Sequence, residues 1–239
     1  MTTKTISIII PALNEAECLP GVLQALRDRS AFAVRHEIIV VDGGSTDGTG
    51  EVAREAGAEV IFCPDAPRGR AFLLNRGAAR ATGDIFLFLD ADSLVPERWD
   101  AELLTALRLP GCVGGAFEFK LHGREFGLRV VEFINRLRYR IWPWYYGDQG
   151  IFVRRDIFEE AGGYPEVRLM EASDFCRKVE RRGELALVHQ DMLTSARRFL
   201  DRGIYRVLGF DIRMWWRNLT GRDVEQFARQ YWSTHQPPQ

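Results

Sequence analysis

Ile6-Ser7-Ile8-Ile9-Ile10-Pro11-Ala12-Leu13-Asn14-Glu15 decides the fold. The β-branched run over residues 5–10 reads as a strand buried on both faces, since a half-exposed strand would alternate apolar and polar residues. After it, the spacing of Leu19, Val22, Leu23 and Leu26 predicts a helix over 15–29. The pattern then repeats, with strands over 37–41, 60–62 and 85–89 and helices over 46–56 and 70–81. Continuous apolar strands alternating with amphipathic helices predict an α/β fold whose central, mostly parallel sheet is flanked by helices.

The second half is less regular. Residues 114–121 and 150–153 read as strands, and Phe126, Val130, Phe133, Ile134, Leu137 and Ile141 follow helical spacing. Further helices are expected over 173–182, 202–218 and 223–232. No repeat or linker interrupts the chain, so residues 1–200 are expected to form one domain with a helical extension over 201–239 packed on it.

Composition narrows the function. With 239 residues, 46% of them hydrophobic, the chain can bury a sizeable core and is no disordered tail. Lys plus Arg number 32 and Asp plus Glu 33, a net charge of -1 that predicts no nucleic-acid partner. The longest apolar runs fall short of a membrane helix, and no secretory signal is recognisable, so a cytoplasmic location is expected. Cys18, Cys63, Cys112 and Cys176 form no CxxC pair and are expected to be free thiols. His36, His122, His189 and His235 form no metal-spaced pair.

Ligands of such sheets sit beyond the carboxyl ends of the strands. Three polar stretches converge there: Pro11 to Glu15, Asp42-Gly43-Gly44-Ser45-Thr46-Asp47-Gly48, and Asp90-Ala91-Asp92. Paired carboxylates after a buried strand suit a hard divalent cation held together with a diphosphate. In the second stretch the glycines let the backbone approach a ligand, Ser45 is expected to cap the next helix, and Asp42 at the strand tip is free to meet a base or ribose. Neither a GxGxxG nor a Walker loop is present.

Together these stretches resemble the family 2 glycosyltransferases of GT-A fold, and most nearly the subgroup called arsenosugar-biosynthesis-type. Arg68 to Ala71, Asn75 to Ala78, Gly147 to Phe152 and Leu169-Met170-Glu171 extend the resemblance over about residues 5–200. It implies that Pro11, Leu13 and Glu15 line a nucleotide pocket with Gly44, and that Asp42 contacts the base. Arg70 would lie near the ribose or diphosphate, and Asp90 and Asp92, flanking Ala91, would hold the sugar nucleotide and a Mg or Mn ion. The segment around Glu171 would supply the general base. Here the chain departs from the family, whose Glu-Asp pair reads Glu171-Ala172, with Ala172 where the basic Asp is expected. Glu171, Asp174 and Asp148 stand as substitutes, Glu171 and Asp174 favoured.

Arg197 and Arg198 could clamp a diphosphate. Trp144 and Tyr146, followed by Gln149, suit stacking on an acceptor. The Trp–Arg mixture over 210–219 fits a peripheral membrane contact, a homodimer contact or docking on the body. The expected activity is metal-dependent, inverting transfer of a sugar from a nucleoside diphosphate donor, UDP-linked, to a hydroxyl acceptor. Alternatives are a polyprenyl-phosphate acceptor at a membrane surface, and a weakened sugar-nucleotide-binding homologue, which Ala172 would suit. A sugar nucleotidyltransferase would want a glycine-rich basic loop after the first strand, and residues 11–15 are not one.

Overall fold

The computed structural model describes residues 4–220 other than 33, 65–68, 143 and 168. The first half follows the predicted alternation: β1 (Thr5–Ala12), α1 (Leu19–Asp28), β2 (Arg35–Asp42), α2 (Thr49–Glu55), β3 (Glu59–Phe62), α3 (Arg70–Arg80) and β4 (Ile85–Phe88). β1 is parallel to both β2 and β4, and β2 is parallel to β3. Registers pair Ala12 with Asp42 and Ile9 with Phe88, so the strand tips reach one edge together.

Both faces of β1, β4 and the second half of β2 are buried, as the apolar runs require, whereas the edge strand β3 is partly exposed. Ile9, Val41, Phe86 and Phe88 pack with Ala71, Leu74 and Ala78 of α3. Ile8, Ile10, Val40 and Leu87 pack with Leu19, Val22, Leu23 and Leu26 of α1 on the opposite face. Two helices start later than their periodicity predicts. α1 begins at Leu19, with Pro20 in its first turn, where a missing N–H costs nothing. α2 begins at Thr49 after Gly48 in the left-handed conformation. The residues released at 13–18 and 43–48 become loops of the site.

The second half comprises β5 (Ser93–Leu94), α4 (Trp99–Ala106), β6 (Cys112–Leu121), α5 (Phe126–Ile141), β7 (Ile151–Arg154), α6 (Arg155–Glu160), α7 (Glu171–Val179), β8 (Glu184–Thr194), α8 (Arg197–Arg202) and α9 (Ile204–Leu219). One eight-stranded sheet results, in the order β3-β2-β1-β4-β7-β6-β8-β5. β7 is antiparallel to its neighbours β4 and β6, whereas β6 and β8 are parallel. α5 has the bounds its spacing predicts. β8 has no clean period, because His189, Gln190 and Asp191 fall inside it where the register with β6 slips after Phe117.

The expected helix over 223–232 lies outside the described residues. No described helix is long and apolar enough to cross a membrane. The four cysteines are free thiols.

Candidate active site

The first two loops are laced together. Asn14 N–H donates to Ser45 Oγ at 2.9 Å, and Thr46 N–H donates to Asn14 Oδ1 at 2.9 Å. Glu15 N–H reaches Thr49 Oγ1 at 2.9 Å, and Ala16 N–H reaches Asp47 Oδ2 at 3.0 Å. Ser45 therefore does not cap the next helix as expected; Gly48 stands at that position, and the Ser45 hydroxyl holds Asn14. Asp42 is buried, and its Oδ1 accepts the N–H groups of Gly44 at 3.1 Å and Ser45 at 2.7 Å. It shapes the loop besides any part in base contact. Gly44 has φ +96°, and a Cβ there would press on Pro64, so only glycine fits. Pro11 pairs with Val41 at the strand tip, while Leu13, 54% exposed, forms an apolar ledge before Glu15.

Beyond β4 the acids and bases interlock. Arg70 Nε donates to Asp90 Oδ1 at 2.9 Å, and its Nη1 to Glu171 Oε1 at 3.2 Å. Burial works against the Arg70 charge, but Asp90 and Glu171 outweigh it and raise its pKa. A Cβ at Gly147 would overlap the Arg70 guanidinium, so the turn over 147–149 lies directly against it. Arg197 Nη2 donates to both Glu15 oxygens at 2.9 Å and to Asp92 Oδ2 at 3.3 Å. Burial, with Asp90 and Glu15 nearby, pushes the Asp92 carboxyl up to about 6. Ala91 is buried between the two acids.

The three carboxylates proposed as base differ in what they touch. Glu171 is tied to Arg70, and Asp174 is tied to Arg177 one turn along its own helix. Asp148 has a buried Oδ1 with no partner. Burial above all, then Asp90, pushes its carboxyl up to about 7, against the charges of Arg198, Arg138 and Arg70. Asp148 is thus the carboxylate of the three with an unengaged buried oxygen, whereas Glu171 and Asp174, the favoured pair, each have an arginine partner. Ala172, 3% exposed, belongs to the core beneath the site.

The residues expected at the acceptor differ in placement, and of these Gln149 is corrected. Gln149 is fully buried; its side chain accepts from Tyr146 N–H and donates to Phe117 O, so it fastens the turn and faces no acceptor. Trp144 is half-buried against the core, and its indole N–H donates to Glu180 at 2.7 Å. Tyr146 stacks beneath Arg138, with its hydroxyl buried and unpartnered. The arginine pair divides: Arg197 joins the acidic cluster, whereas Arg198 pairs with Asp211 of α9. Sequence reasoning passed over Asn14, Asp47 and Thr49 as lacing residues, although their placement after buried strands was a signal. It also passed over Arg138, Tyr146 and Asp211 as a polar group, which no spacing announces because they come from separate elements.

Among the described residues no group of three or more His, Cys, Asp or Glu forms a complete metal cage. Mg or Mn held jointly with phosphates needs only one or two protein carboxylates. Asp90 and Asp92 supply hard oxygen donors, and the raised Asp92 pKa marks negative charge that a cation would relieve.

The sequence model described as glycosyl transferase family 2 matches residues 7–162. The chain belongs to that family. A relative, Glycosyltransferase AglE of Haloferax volcanii, is 31% identical over 173 residues, covering 69% of this chain and 57% of that protein. The chain thus spans little more than half the length of that relative. The mannosyltransferase PcManGT from Pyrobaculum calidifontis, solved with GDP-Man and Mn2+, superposes with TM-score 0.65 at 23% identity, covering 90% of this chain and 63% of that one. Glucosyl-3-phosphoglycerate synthase from Mycobacterium tuberculosis, solved with Mn2+ and UDP-Glc, gives TM-score 0.64 at 22% identity, covering 92% of this chain and 80% of that one. These likenesses establish the GT-A fold.

Proposed function

We infer that this family 2 chain transfers a sugar from a nucleoside diphosphate donor, UDP-linked, to a hydroxyl acceptor with inversion. The observation that carries the reading is the convergence of Glu15, Asp42, Arg70, Asp90, Asp92, Asp148 and Arg197 at one edge of the sheet. The loops carrying Pro11, Leu13, Asp42 and Gly44 take the nucleoside. Arg70 and Arg197 lie where the diphosphate charge would need compensation, and would exchange carboxylate partners for phosphate oxygens. Asp90 and Asp92 would hold Mg or Mn; when bound, the cation supplies positive charge to the departing diphosphate. The neighbours solved with Mn2+ and a sugar nucleotide support this part of the reading.

Asp148 acts as the base. Its Oδ1 takes the acceptor proton, the acceptor oxygen bonds to the anomeric carbon, and the nucleoside diphosphate leaves with the bonding electron pair. A carboxylate with pKa near 7 is well matched to this task at neutral pH. Asp148 also answers the substitution at Ala172, because a base is supplied from another element. Residues 1–200 act as one domain, and the extension over 201–239 serves it.

Asp148→Asn tests the assignment. UDP release from UDP-sugars in the presence of Mn should fall by about 10²–10⁴-fold, while UDP binding persists. An unchanged rate would move the base to Glu171 or Asp174.

A further inference from the structure

α5 and α9 pack side by side and leave a groove of about 150 Å³ between them. Leu137, Ile141, Trp142, Leu208, Ile212 and Trp215 line it. A cavity of roughly this volume accepts a benzene-sized apolar group, and the open mouth lets a longer chain continue. The same two helices also expose Phe133 and Trp216. Of the carboxylates on the two helices, Glu132 is buried and Asp211 is partly buried.

One wall is polar and unsatisfied. Arg138 is buried, with Nη1 donating to Trp144 O at 2.7 Å and its guanidinium 3.7 Å from the centre of the Tyr146 ring. Its Nε and Nη2 have no partner, nor do Tyr146 Oη and Asp211 Oδ1. Buried polar atoms of this kind are normally paired, so the four together offer hydrogen-bonding capacity to a polar group entering the groove. The wall adjoins the site: besides burial, Tyr146 feels the charges of Arg138, Asp211 and Asp148.

We propose that this groove is the acceptor subsite and that it takes a long-chain alcohol, the tail lying between α5 and α9 and the hydroxyl meeting Arg138 and Asp148. A hydroxyl accepts and donates at once, which matches a wall of N–H donors beside carboxylate acceptors. An anionic head would be drawn to Arg138 but would also meet Asp211 and Asp148, and Asp211 already occupies Arg198. The proposal rests on the donor-site reading above and names the acceptor class for it. In the transfer the alcohol oxygen bonds to the anomeric carbon, its proton passes to Asp148, and the nucleoside diphosphate departs with the electron pair of the broken bond.

The probe is 11-bromoundecan-1-ol, whose bromine quenches nearby tryptophans, here Trp142 and Trp215. Titrated into the full chain it should quench saturably, and Ile212→Asn and Leu137→Asn, both at partly exposed positions, should each weaken it about tenfold. 11-Bromoundecanoic acid, with the same tail and a charged head, should bind at least about tenfold more weakly, the discrimination expected when a buried carboxylate faces an anion. Absence of saturable quenching overturns the proposal; a second copy of the chain, or residues 221–239, seated in the groove would give that result. Quenching unaffected by both variants overturns the location, and tighter binding of the acid overturns the head-group assignment. UDP titration of the same wild-type sample reports the donor site separately, so failure of the groove is distinguished from failure of the donor reading.

Discussion

Asp148 carries a consequence for stability as well as for chemistry. Its native pKa, pushed up to about 7 by burial, lies above the ordinary carboxylate value. Its favourable contribution to stability is therefore present at pH below that ordinary value and is lost as pH rises through about 7. Asp148→Asn should raise Tm at pH 8 by roughly 2–4 °C and leave it little changed at pH 4, checked by calorimetric melting. The same titration predicts that the wild-type transfer rate climbs with pH through about 7 and that Asp148→Asn flattens this limb. Gly147 gives a second test at this scale. Gly147→Ala drives a methyl group into a guanidinium that Asp90 and Glu171 hold in place, so Arg70 must move. UDP affinity should fall by about tenfold, equivalent to about 1.4 kcal/mol, at nearly unchanged Tm.

At the scale of elements, the lacing of the two loops and the core under α7 make opposite predictions. Asn14→Ala removes the acceptor for Thr46 N–H from a residue at φ 55°, a left-handed conformation that Asn tolerates and Ala resists. A loss of about 1–2 kcal/mol in chemical denaturation is expected, together with weaker nucleotide binding. Ala172→Asp restores the family's acidic pair in sequence, yet Ala172 is packed in the core. The variant should lose roughly 2–4 kcal/mol of stability and gain no transfer activity. A gain in turnover would show that the base belongs on α7 after all.

For the whole molecule, the sheet was legible where each strand was a continuous apolar run, as at Ile8-Ile9-Ile10 and Ile85-Phe86-Leu87-Phe88. It was less legible at β8, whose His189-Gln190-Asp191 stretch breaks any period at a register slip. The acids at the strand tips could be read because topology fixes where a strand ends. The ties could not be read: Arg70 reaches Glu171 across 101 positions, and Arg197 reaches Glu15 across 182. The partners of the candidate bases were hidden for the same reason: sequence spacing favoured Glu171 and Asp174 but gave no sign that Arg70 pairs with Glu171. The aromatic run before Gly147 was also mixed in role. Trp144 packs inward beside Glu180 at the end of α7 and Tyr146 faces the groove between α5 and α9, a division set by contacts remote in sequence.

On the proposed reading, the carboxylates at the sheet edge form a cation-assisted site for a nucleoside diphosphate. Calorimetric titration of UDP and GDP into the chain, with and without Mn, and into Asp92→Ala, tests it most directly. UDP binding should require Mn, strengthen as pH rises through about 6 as Asp92 loses its proton, and disappear in Asp92→Ala. Failure of both nucleotides to bind under any metal condition would contradict it, leaving a GT-A fold without a donor site.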